Sequence, residues 1–240
     1  MINVLHLYYD ILNLYGENAN IRAIYNNLKN SNIKVKVDYK SINDTINLDK
    51  YDIIYIGSGD EENLLLALNH LKTISKEMRK YINSNKYLFL TGNSMYMFGE
   101  YIDTLDDKVN GCVIFNYYVK YIKENKYKNA SNYRISCETT SSCNLINQLV
   151  IGFQNRCGLI YNVKNPLFKT SIRNSNDLEN DTEGFTYKNV YATQNIGPLF
   201  IRNPYLLDYF LSKVCKDKKL KYIVDNNSTE KIAYKKYLNL

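Results

Sequence analysis

Apolar and polar residues form blocks along the first hundred residues that predict strands and helices in turn. Short apolar runs predict buried strands, and apolar side chains recurring every three or four residues predict helices. The predicted strands cover residues 2–8, 33–38, 51–56 and 87–90, and the predicted helices cover 18–28 and about 62–80. Because helices separate most of these strands, we expect a mostly parallel central sheet with helices on both faces.

The pattern changes between about residues 109 and 190, where short β segments alternate with polar loops. These segments cover residues 112–121, 133–138, 149–153 and 187–192. We expect them to continue the sheet in antiparallel fashion. Residues 203–215 then predict an amphipathic helix, with Asn203 as its cap and Pro204 in its first turn.

No repeat or flexible linker interrupts the chain, so we expect a single domain over residues 1–240. A dense group of lysines follows at residues 216–222, and we interpret it as the polar face of a basic C-terminal helix that begins at about 216.

The most informative segment is residues 87–99, which predict a buried strand, a sharp turn and the start of a helix. In parallel sheets ligands bind at the carboxyl ends of strands, so the turns after Ile56 and Leu90 are the expected site. This layout is that of a nucleophile elbow, whose tip normally carries a reactive Cys or Ser. Here the tip carries Gly92 and Asn93, and no cysteine lies nearby in the sequence.

Composition narrows the classes of protein to which the chain can belong. The 240 residues are 45% hydrophobic and 23% charged, which excludes a disordered chain. The net charge of +7 has no dense cluster beyond residues 216–222, so we expect a solvated surface and no nucleic-acid partner. The N-terminus has no signal-peptide pattern and no apolar run approaches the length of a membrane span, so we expect a cytoplasmic protein.

The cysteines and histidines predict neither a disulfide framework nor a metal site. Five cysteines form no C-x-x-C pair, and the only histidines are His6 and His70. The cysteines are Cys112, Cys137, Cys143, Cys157 and Cys215. We therefore expect no metal and no cofactor.

Five segments, in order, resemble the class I glutamine amidotransferases of the cobyric acid synthase (CobB/CobQ-like) type, and within them the GatD glutaminase subunits of lipid II isoglutaminyl synthase. The most specific is residues 12–17, Leu-Asn-Leu-Tyr-Gly-Glu, where the family has Leu-Asn-Leu-Tyr-Gly-Asp. The other four are residues 57–61, 90–99, 151–158 and 192–204. The resemblance implies a class I glutaminase-like, flavodoxin-like α/β fold.

The departures from the family pattern fall where the resemblance places the chemistry. Gly92 stands at the position of the nucleophilic cysteine, and Ile196 stands at the position of the catalytic histidine. Gln154 and Arg156 replace the Glu and His of a Phe-Glu-Asn-His motif. Because a thiolate and an imidazole act as a unit in opening an amide, their joint loss predicts loss of glutaminase activity.

Several residues remain candidates for lining a pocket at this edge. The resemblance implies that Gly57–Gly59 supplies an oxyanion N–H and that Lys128 contacts a substrate carboxylate. We expect positive φ at Gly92 and left-handed backbone at Asn93, with N–H groups turned toward an empty pocket. The full candidate set is Gly57, Ser58, Gly59, Gly92, Asn93, Ser94, Lys128, Gln154, Asn155, Arg156 and Asn195.

Residues beside the elbow are interpreted as structural and not as catalytic. Ser94 or Thr91 could stand in as nucleophile, but neither is expected to meet a histidine. Asp60, Glu61 and Glu62 are expected to stabilise the positive end of a helix. We interpret Cys157 as a small buried thiol.

Three functions follow from the resemblance and its departures. The first is a glutaminase-dead subunit that acts with a Mur-ligase-like, ATP-dependent partner in amidating the D-glutamate of lipid II, a cell-wall precursor. The second is a sensor that binds a small anion or an amino acid such as glutamine at the elbow. The third is an active glutaminase with a non-standard nucleophile.

Overall fold

The structure is a computed structural model that describes residues 1–123 and 134–239. The strands are β1 Ile2–Leu7, β2 Val35–Lys40, β3 Ile53–Ile56, β4 Tyr87–Thr91, β5 Tyr101–Asp103, β6 Lys108–Asn110, β7 Tyr118–Tyr121, β8 Ile135–Ser141, β9 Val150–Arg156, β10 Gly158–Tyr161, β11 Phe168–Lys169, β12 Thr182–Glu183, β13 Phe185–Tyr187 and β14 Val190–Thr193. The α-helices are α1 Asn18–Asn30, α2 Glu61–Thr73, α3 Ser75–Asn83, α4 Leu199–Arg202, α5 Pro204–Asp217 and α6 Thr229–Tyr237. Short 3-10 helices cover Leu48–Lys50, Gly92–Phe98 and Ile172–Asn174.

A six-stranded sheet in the order β13-β14-β4-β3-β1-β2 forms the centre of the fold. All its neighbours pair in parallel except β13, which runs antiparallel to β14 at one edge. Strands β3, β4 and β14 are buried along their whole length, as a parallel sheet covered on both faces requires. The predicted fold class is therefore confirmed.

Helices cover both faces of this sheet. On one face Leu64, Leu68 and Leu71 of α2 pack in a core with the strand residues that point toward them. On the other face Ile24 of α1 and Phe210 of α5 belong to a second core. Each helix buries one apolar side against the sheet, which removes that surface from water.

The predicted helix at about 62–80 is two helices. α2 ends at Thr73 and α3 begins at Ser75. The hydroxyls of Thr73 and Ser75 donate to the carbonyls of His70 and Lys72. Such local bonds compete with the backbone ladder of a continuous helix, and they accompany the break here. The second strand also differs, since it begins at Val35 and extends to Lys40.

None of the strands β5 to β12 continues the central sheet, contrary to the prediction. They form a four-stranded sheet in the order β10-β7-β5-β6, a β8-β9 hairpin and a β11-β12 pair. β13 alone adds to the central sheet in antiparallel fashion, whereas β14 joins it in parallel beside β4. The segments are short and half-buried, so their pattern does not specify which sheet they join.

The C-terminal prediction is also corrected. α5 begins at Pro204 as expected, but the basic segment 216–222 lies at its end and in the coil beyond. Lys219 has φ of +56°, and the N–H of Leu220 donates to the carbonyl of Cys215. This is a Schellman ending, which stops the helix before the basic run can continue it. The next helix is α6. No helix within the described residues is long and apolar enough to cross a membrane.

Candidate functional site

The turn after β4 has the geometry of an elbow. Thr91 ends the strand in extended backbone, and Gly92 follows with φ of +60°. A 3-10 helix continues over Gly92–Phe98, where the sequence predicts an α-helix. Asn93 is not among the described residues with positive φ, so the expected left-handed backbone at this position is wrong. The glycine alone makes the turn.

The space at the tip of the elbow is filled. A Cβ on Gly92 would lie 2.3 Å from Oγ of Ser58 and 2.5 Å from its Cβ, and 2.8 Å from Cγ2 of Ile196. Real Cβ atoms do not approach other atoms this closely. Ser58 is 4% exposed and Ile196 is 1% exposed, so neither can turn freely into solvent. A side chain at position 92 therefore has no room unless its neighbours move.

The two positions at which the resemblance places the catalytic pair are neighbours in the fold. Gly92 and Ile196 are in contact, since the hypothetical Cβ of one lies within 3 Å of a methyl group of the other. Ile196 is held by its backbone N–H, which donates to the carbonyl of Phe153 at 2.8 Å. An isoleucine side chain here neither accepts nor donates a proton, so no base faces the elbow from this side.

Asn93 closes the turn after β3 onto the elbow. Its Nδ2 donates to the carbonyl of Gly59 at 2.7 Å, and its Oδ1 accepts from the N–H of Gly59 at 3.2 Å. Oγ of Ser58 donates to the same Oδ1 at 3.1 Å. The N–H that an oxyanion would need is therefore occupied by a side chain of the protein itself.

The hydroxyls near the elbow have backbone or carboxylate partners. Ser94 is buried, and its Oγ donates to the carbonyl of Thr91 at 2.8 Å. Oγ1 of Thr91 donates to Oε2 of Glu17 at 2.7 Å. Neither histidine bonds these hydroxyls, and Nδ1 of His70 instead bonds the hydroxyl of Tyr8. Burial lowers the pKa of His6 to about 4, and Asn18 and Asp10 partly oppose this shift.

Glu17 is a site residue that our sequence reasoning did not single out. It is fully buried, and its Oε2 also accepts hydrogen bonds from the hydroxyl of Tyr55 and from Nδ2 of Asn20. Burial raises the pKa of this carboxyl, and its hydrogen bonds to Tyr55, Thr91 and Asn20 oppose the shift. The network ties the start of α1 to β3 and β4. Its sequence signal was the last residue of the segment 12–17, a glutamate among apolar and aromatic residues.

Gln154 and Arg156 belong to a second buried cluster. Nε of Arg156 donates to Oε1 of Gln154 at 3.0 Å, and its terminal nitrogens donate to the carbonyl of Ser175 and to Oε1 of Gln194. Glu183 is fully buried close by, and burial raises its pKa to about 7. This guanidinium is satisfied by protein acceptors, so it acts as an internal tie between β9 and the segments that cover it.

Two other candidates, Asn155 and Asn195, and the cysteine Cys157 have partners within the protein. Oδ1 of Asn155 accepts from Nε of Arg134 at 2.9 Å, and Arg134 also pairs with Glu61. Cys157 contacts Oε1 of Glu61 at 3.2 Å, and burial, with that carboxylate, raises the pKa of its thiol to about 12. Oδ1 of Asn195 accepts from the hydroxyl of Thr139 at 2.8 Å.

The structure therefore brings only part of the candidate set together. Residues 57–59 and 92–94 meet at the elbow, whereas Gln154 and Arg156 form a separate cluster. Lys128 lies outside the described residues. The expected acidic start of α2 is present, since Oδ1 of Asp60 accepts from the N–H of Asn63 at 2.7 Å.

A comparison with protein-family models assigns the chain to a family. The model described as a CobB/CobQ-like glutamine amidotransferase domain matches residues 3–202. The chain belongs to this family. The match includes both the elbow and Ile196, so the filled space lies within the family domain.

Two relatives share the name lipid II isoglutaminyl synthase (glutamine-hydrolyzing) subunit GatD. The one from Staphylococcus aureus (strain N315) is 28% identical over 218 residues, covering 90% of this chain and 86% of the relative. The one from Streptococcus pneumoniae (strain ATCC BAA-255 / R6) is 24% identical over 220 residues, covering 90% and 82%. The chain is therefore a GatD-like member of the amidotransferase family.

Solved structures agree on the fold. A glutamine amidotransferase from Thermotoga maritima has a TM-score of 0.52 at 12% identity, with 99% of this chain and 94% of that chain covered. A second glutamine amidotransferase structure has a TM-score of 0.56 at 14% identity, with 88% and 98% covered. At these identities the likeness shows the fold alone.

Proposed function

We propose that the chain is a GatD-type amidotransferase subunit that has lost glutaminase activity and supports a Mur-ligase-like, ATP-using partner. That partner would amidate the D-glutamate of lipid II with ammonia taken from solution. The relatives named GatD support the subunit type, and the elbow supports the loss of hydrolysis.

One observation carries the proposal. Gly92 has no side chain, and the volume that a side chain would need is occupied by Ser58 and Ile196. An amide can be opened through a covalent intermediate only where a nucleophile and a base face a space that admits the substrate. At this elbow Gly92 offers no nucleophile, Ile196 offers no base, and the space is filled.

The second candidate, a sensor that binds an anion or amino acid at the elbow, has less support. Its main donor would be the N–H of Gly59, and that group is paired with Asn93. A ligand would have to displace the Asn93 amide and its bond to the Gly59 carbonyl. Displacing a satisfied internal bond costs about 1 kcal/mol before any ligand contact forms.

The third candidate, a glutaminase with a substitute nucleophile, lacks a nucleophile and base that a substrate could reach. The hydroxyl of Ser94 donates to backbone carbonyls. The hydroxyl of Thr91 donates to Glu17, but Thr91 is 1% exposed and Glu17 is fully buried, so no substrate reaches the pair.

The test is ammonia release from L-glutamine by the purified chain, alone and with a co-expressed Mur-ligase-like partner. The GatD subunit of Staphylococcus aureus with its own ligase partner serves as positive control. We expect no release by this chain in either setting, together with a stable complex and amidation that runs on ammonium chloride. Release that persists in Ser94→Ala and Thr91→Ala would overturn the placement of the site.

Failure of the complex to form would overturn a different part of the proposal. A chain that neither hydrolyses glutamine nor binds a ligase partner is not an amidotransferase subunit. Binding of L-glutamine at the elbow without hydrolysis, abolished by Asn93→Asp, would favour the sensor.

A further inference from the structure

A second site lies at the other end of the fold from the elbow. A cavity of about 420 Å³ opens between α3, the segment after residue 113, residues 162–165 and β13. Asn83, at the end of α3, precedes β4, and Tyr187 ends β13 next to the first residue of β14. The cavity therefore reaches the amino ends of the parallel strands, whereas Gly92 follows the carboxyl end of β4. The five residues of β4 separate these ends by roughly 15 Å.

Aromatic rings form one wall of this cavity. The ring centroids of Phe115 and Phe185 lie 4.5 Å apart, and those of Phe115 and Tyr187 lie 5.7 Å apart. Phe115 and Phe185 are less than a tenth exposed, but Tyr187 is 39% exposed. The wall is therefore anchored in the core and offers an open aromatic surface at its rim, on which a flat ring can pack.

The charges at the cavity have one sign. Arg79 and Lys164 line it, and none of the described residues that line it is an Asp or Glu. The guanidinium of Arg79 is fixed in place because it donates to the carbonyls of Cys112 and Val113. Nζ of Lys188 lies 5.5 Å from the ring centroid of Tyr187 and donates to Oδ1 of Asn83, which places a third cation at the rim.

Side-chain amides complete the lining. Asn83, Asn116, Asn162 and Asn165 border the cavity, and each side-chain amide has both donor and acceptor capacity. Pockets that bind small molecules combine apolar walls with a few placed polar groups and have volumes of roughly 300–1,000 Å³. The cavity meets this description, and its cations select for a negative ligand.

Backbone strain occurs in the same loops. Val113, Asn162 and Lys188 all have positive φ, between +50° and +67°. This conformation is costly for a β-branched valine, at about 1–3 kcal/mol. The strained carbonyl of Val113 is one of the two that hold Arg79. Strained loops that place a cation beside an aromatic wall are consistent with a binding role.

We propose that this cavity binds a small organic anion with a flat aromatic ring, of the size of a nucleoside monophosphate or an aryl phosphate. The ring packs on Tyr187 and Phe115 at the aromatic wall. The anionic group lies against Arg79 and Lys164. The site is independent of the elbow, and it requires no hydrolytic activity there.

The experiment measures binding of adenosine 5′-monophosphate and phenyl phosphate to the full chain by calorimetry. Adenosine and inorganic phosphate serve as probes that lack the charge or the ring. We expect saturable one-site binding of a probe that has both features, with a Kd of about 1 mM or tighter. Inorganic phosphate and adenosine should each bind at least about tenfold more weakly, because each lacks one of the two contacts.

Two variants locate the site. Lys164→Glu reverses an exposed charge at the cavity and should weaken binding about tenfold. Tyr187→Ser removes the exposed ring and should weaken binding by a similar factor. Lys34→Glu and Tyr39→Ser are the matched controls, since both residues are exposed at the β2 edge of the central sheet, opposite β13. The controls should bind as the unchanged chain does.

Three results would overturn the proposal: no saturable binding of either ring-bearing anion, equal binding of inorganic phosphate, or binding that both cavity variants retain. A thermal unfolding midpoint measured on every variant shows that each is folded. Since Lys164 and Tyr187 are exposed side chains, a change in binding at an unchanged midpoint reports the contact itself.

Discussion

The two ends of strand β4 differ in what they offer a ligand. At the carboxyl end Ser58 and Ile196 fill the space in front of Gly92, and Asn93 pairs with the N–H and the carbonyl of Gly59. At the amino end a cavity of about 420 Å³ remains open, with cations and an aromatic wall. The elbow is present as backbone although the space in front of it is filled, so the geometry of a turn and the presence of an open pocket are separate properties of a sequence.

The largest expected effect comes from restoring a side chain at the closed end. Gly92→Cys forces a positive-φ residue against Ser58 and Ile196. The backbone strain is about 1–2 kcal/mol and the overpacking about 1–3 kcal/mol, so we expect a loss of about 3 kcal/mol in the free energy of unfolding. For a chain of this length that lowers the thermal midpoint by roughly 10 °C. Differential scanning calorimetry measures it.

Gly16→Cys is the matched control for that substitution. Gly16 also has positive φ, at +75°, but a Cβ there would meet nothing within 4 Å. It should therefore lose only the backbone term of about 1–2 kcal/mol. Equal midpoints for the two variants would show that the elbow has room, and the contrast between the two ends of β4 would fail. Gly92→Cys combined with Ile196→His should still release no ammonia, because Ser58 continues to fill the space at position 92.

A pH measurement tests whether the closed end is sealed from water. His6 lies in β1, 5.3 Å in ring-centroid distance from Tyr55 of the Glu17 network, and burial lowers its pKa to about 4. The folded state therefore binds this proton less readily than the unfolded state. The stability that His6 contributes is complete above pH 6.5 and is lost as the pH falls toward 4, a change of about 3 kcal/mol.

The difference between the chain and His6→Phe isolates this contribution. Urea unfolding of both at pH 7 and pH 4.5 should show a larger loss in the chain than in the variant. Glu183 acts in the opposite direction, since its raised pKa of about 7 costs stability as pH rises from 4.5 to 7, and that cost is common to both proteins. An NMR titration of His6 with a midpoint near pH 6.5 would mean that water reaches it.

The reactivity of the Cys157 thiol also tests the closed end, because this cysteine lies beside Glu61 at the carboxyl side of the sheet. Its pKa of about 12 lowers the thiolate fraction at pH 8 about a thousandfold relative to a free thiol. The higher nucleophilicity of a basic thiolate recovers about tenfold. We expect alkylation by iodoacetamide about a hundredfold slower than in the same chain unfolded in guanidinium, followed by peptide mapping. Rapid labelling would make Cys157 a substitute nucleophile worth testing.

The sequence predicted the central strands because each is a short apolar run bounded by polar residues. β1, β3 and β4 were located in this way, and so was the glycine at the elbow. The break at residue 74 is accompanied by two hydroxyls that bond backward to carbonyls, which an apolar pattern does not report. The parallel placement of β14 depends on its partner β4, a hundred residues away along the chain.

Some features of the two sites could also be predicted from the sequence, and others could not. That Gly92 and Ile196 stand at the nucleophile and base positions could be predicted from the sequence and stays a prediction, since it rests on the resemblance of two motifs. The closed volume could not, because it arises from Ser58 and Ile196, which meet only in the fold. The cavity is assembled from residues near 79, 115, 164 and 187, so no local pattern reports it. Glu17 was missed because its burial depends on Tyr55 and Thr91.

The smallest expected effect concerns the Asn93 amide that joins the two turns of the closed end. Asn93→Ala removes two hydrogen bonds with Gly59 and one with Ser58 and should cost about 2 kcal/mol, since each net hydrogen bond contributes about 0.5–1.5 kcal/mol. Asn63→Ala is the control, because the Asn63 side chain donates to an exposed Asp60 carboxylate, and its effect should stay within about 0.5 kcal/mol. Asn93→Ala also frees the N–H of Gly59. If L-glutamine then raises the thermal midpoint of the variant but not of the chain, Asn93 is what keeps ligands from the carboxyl end. If neither midpoint moves, the filling by Ser58 and Ile196 is sufficient to exclude them.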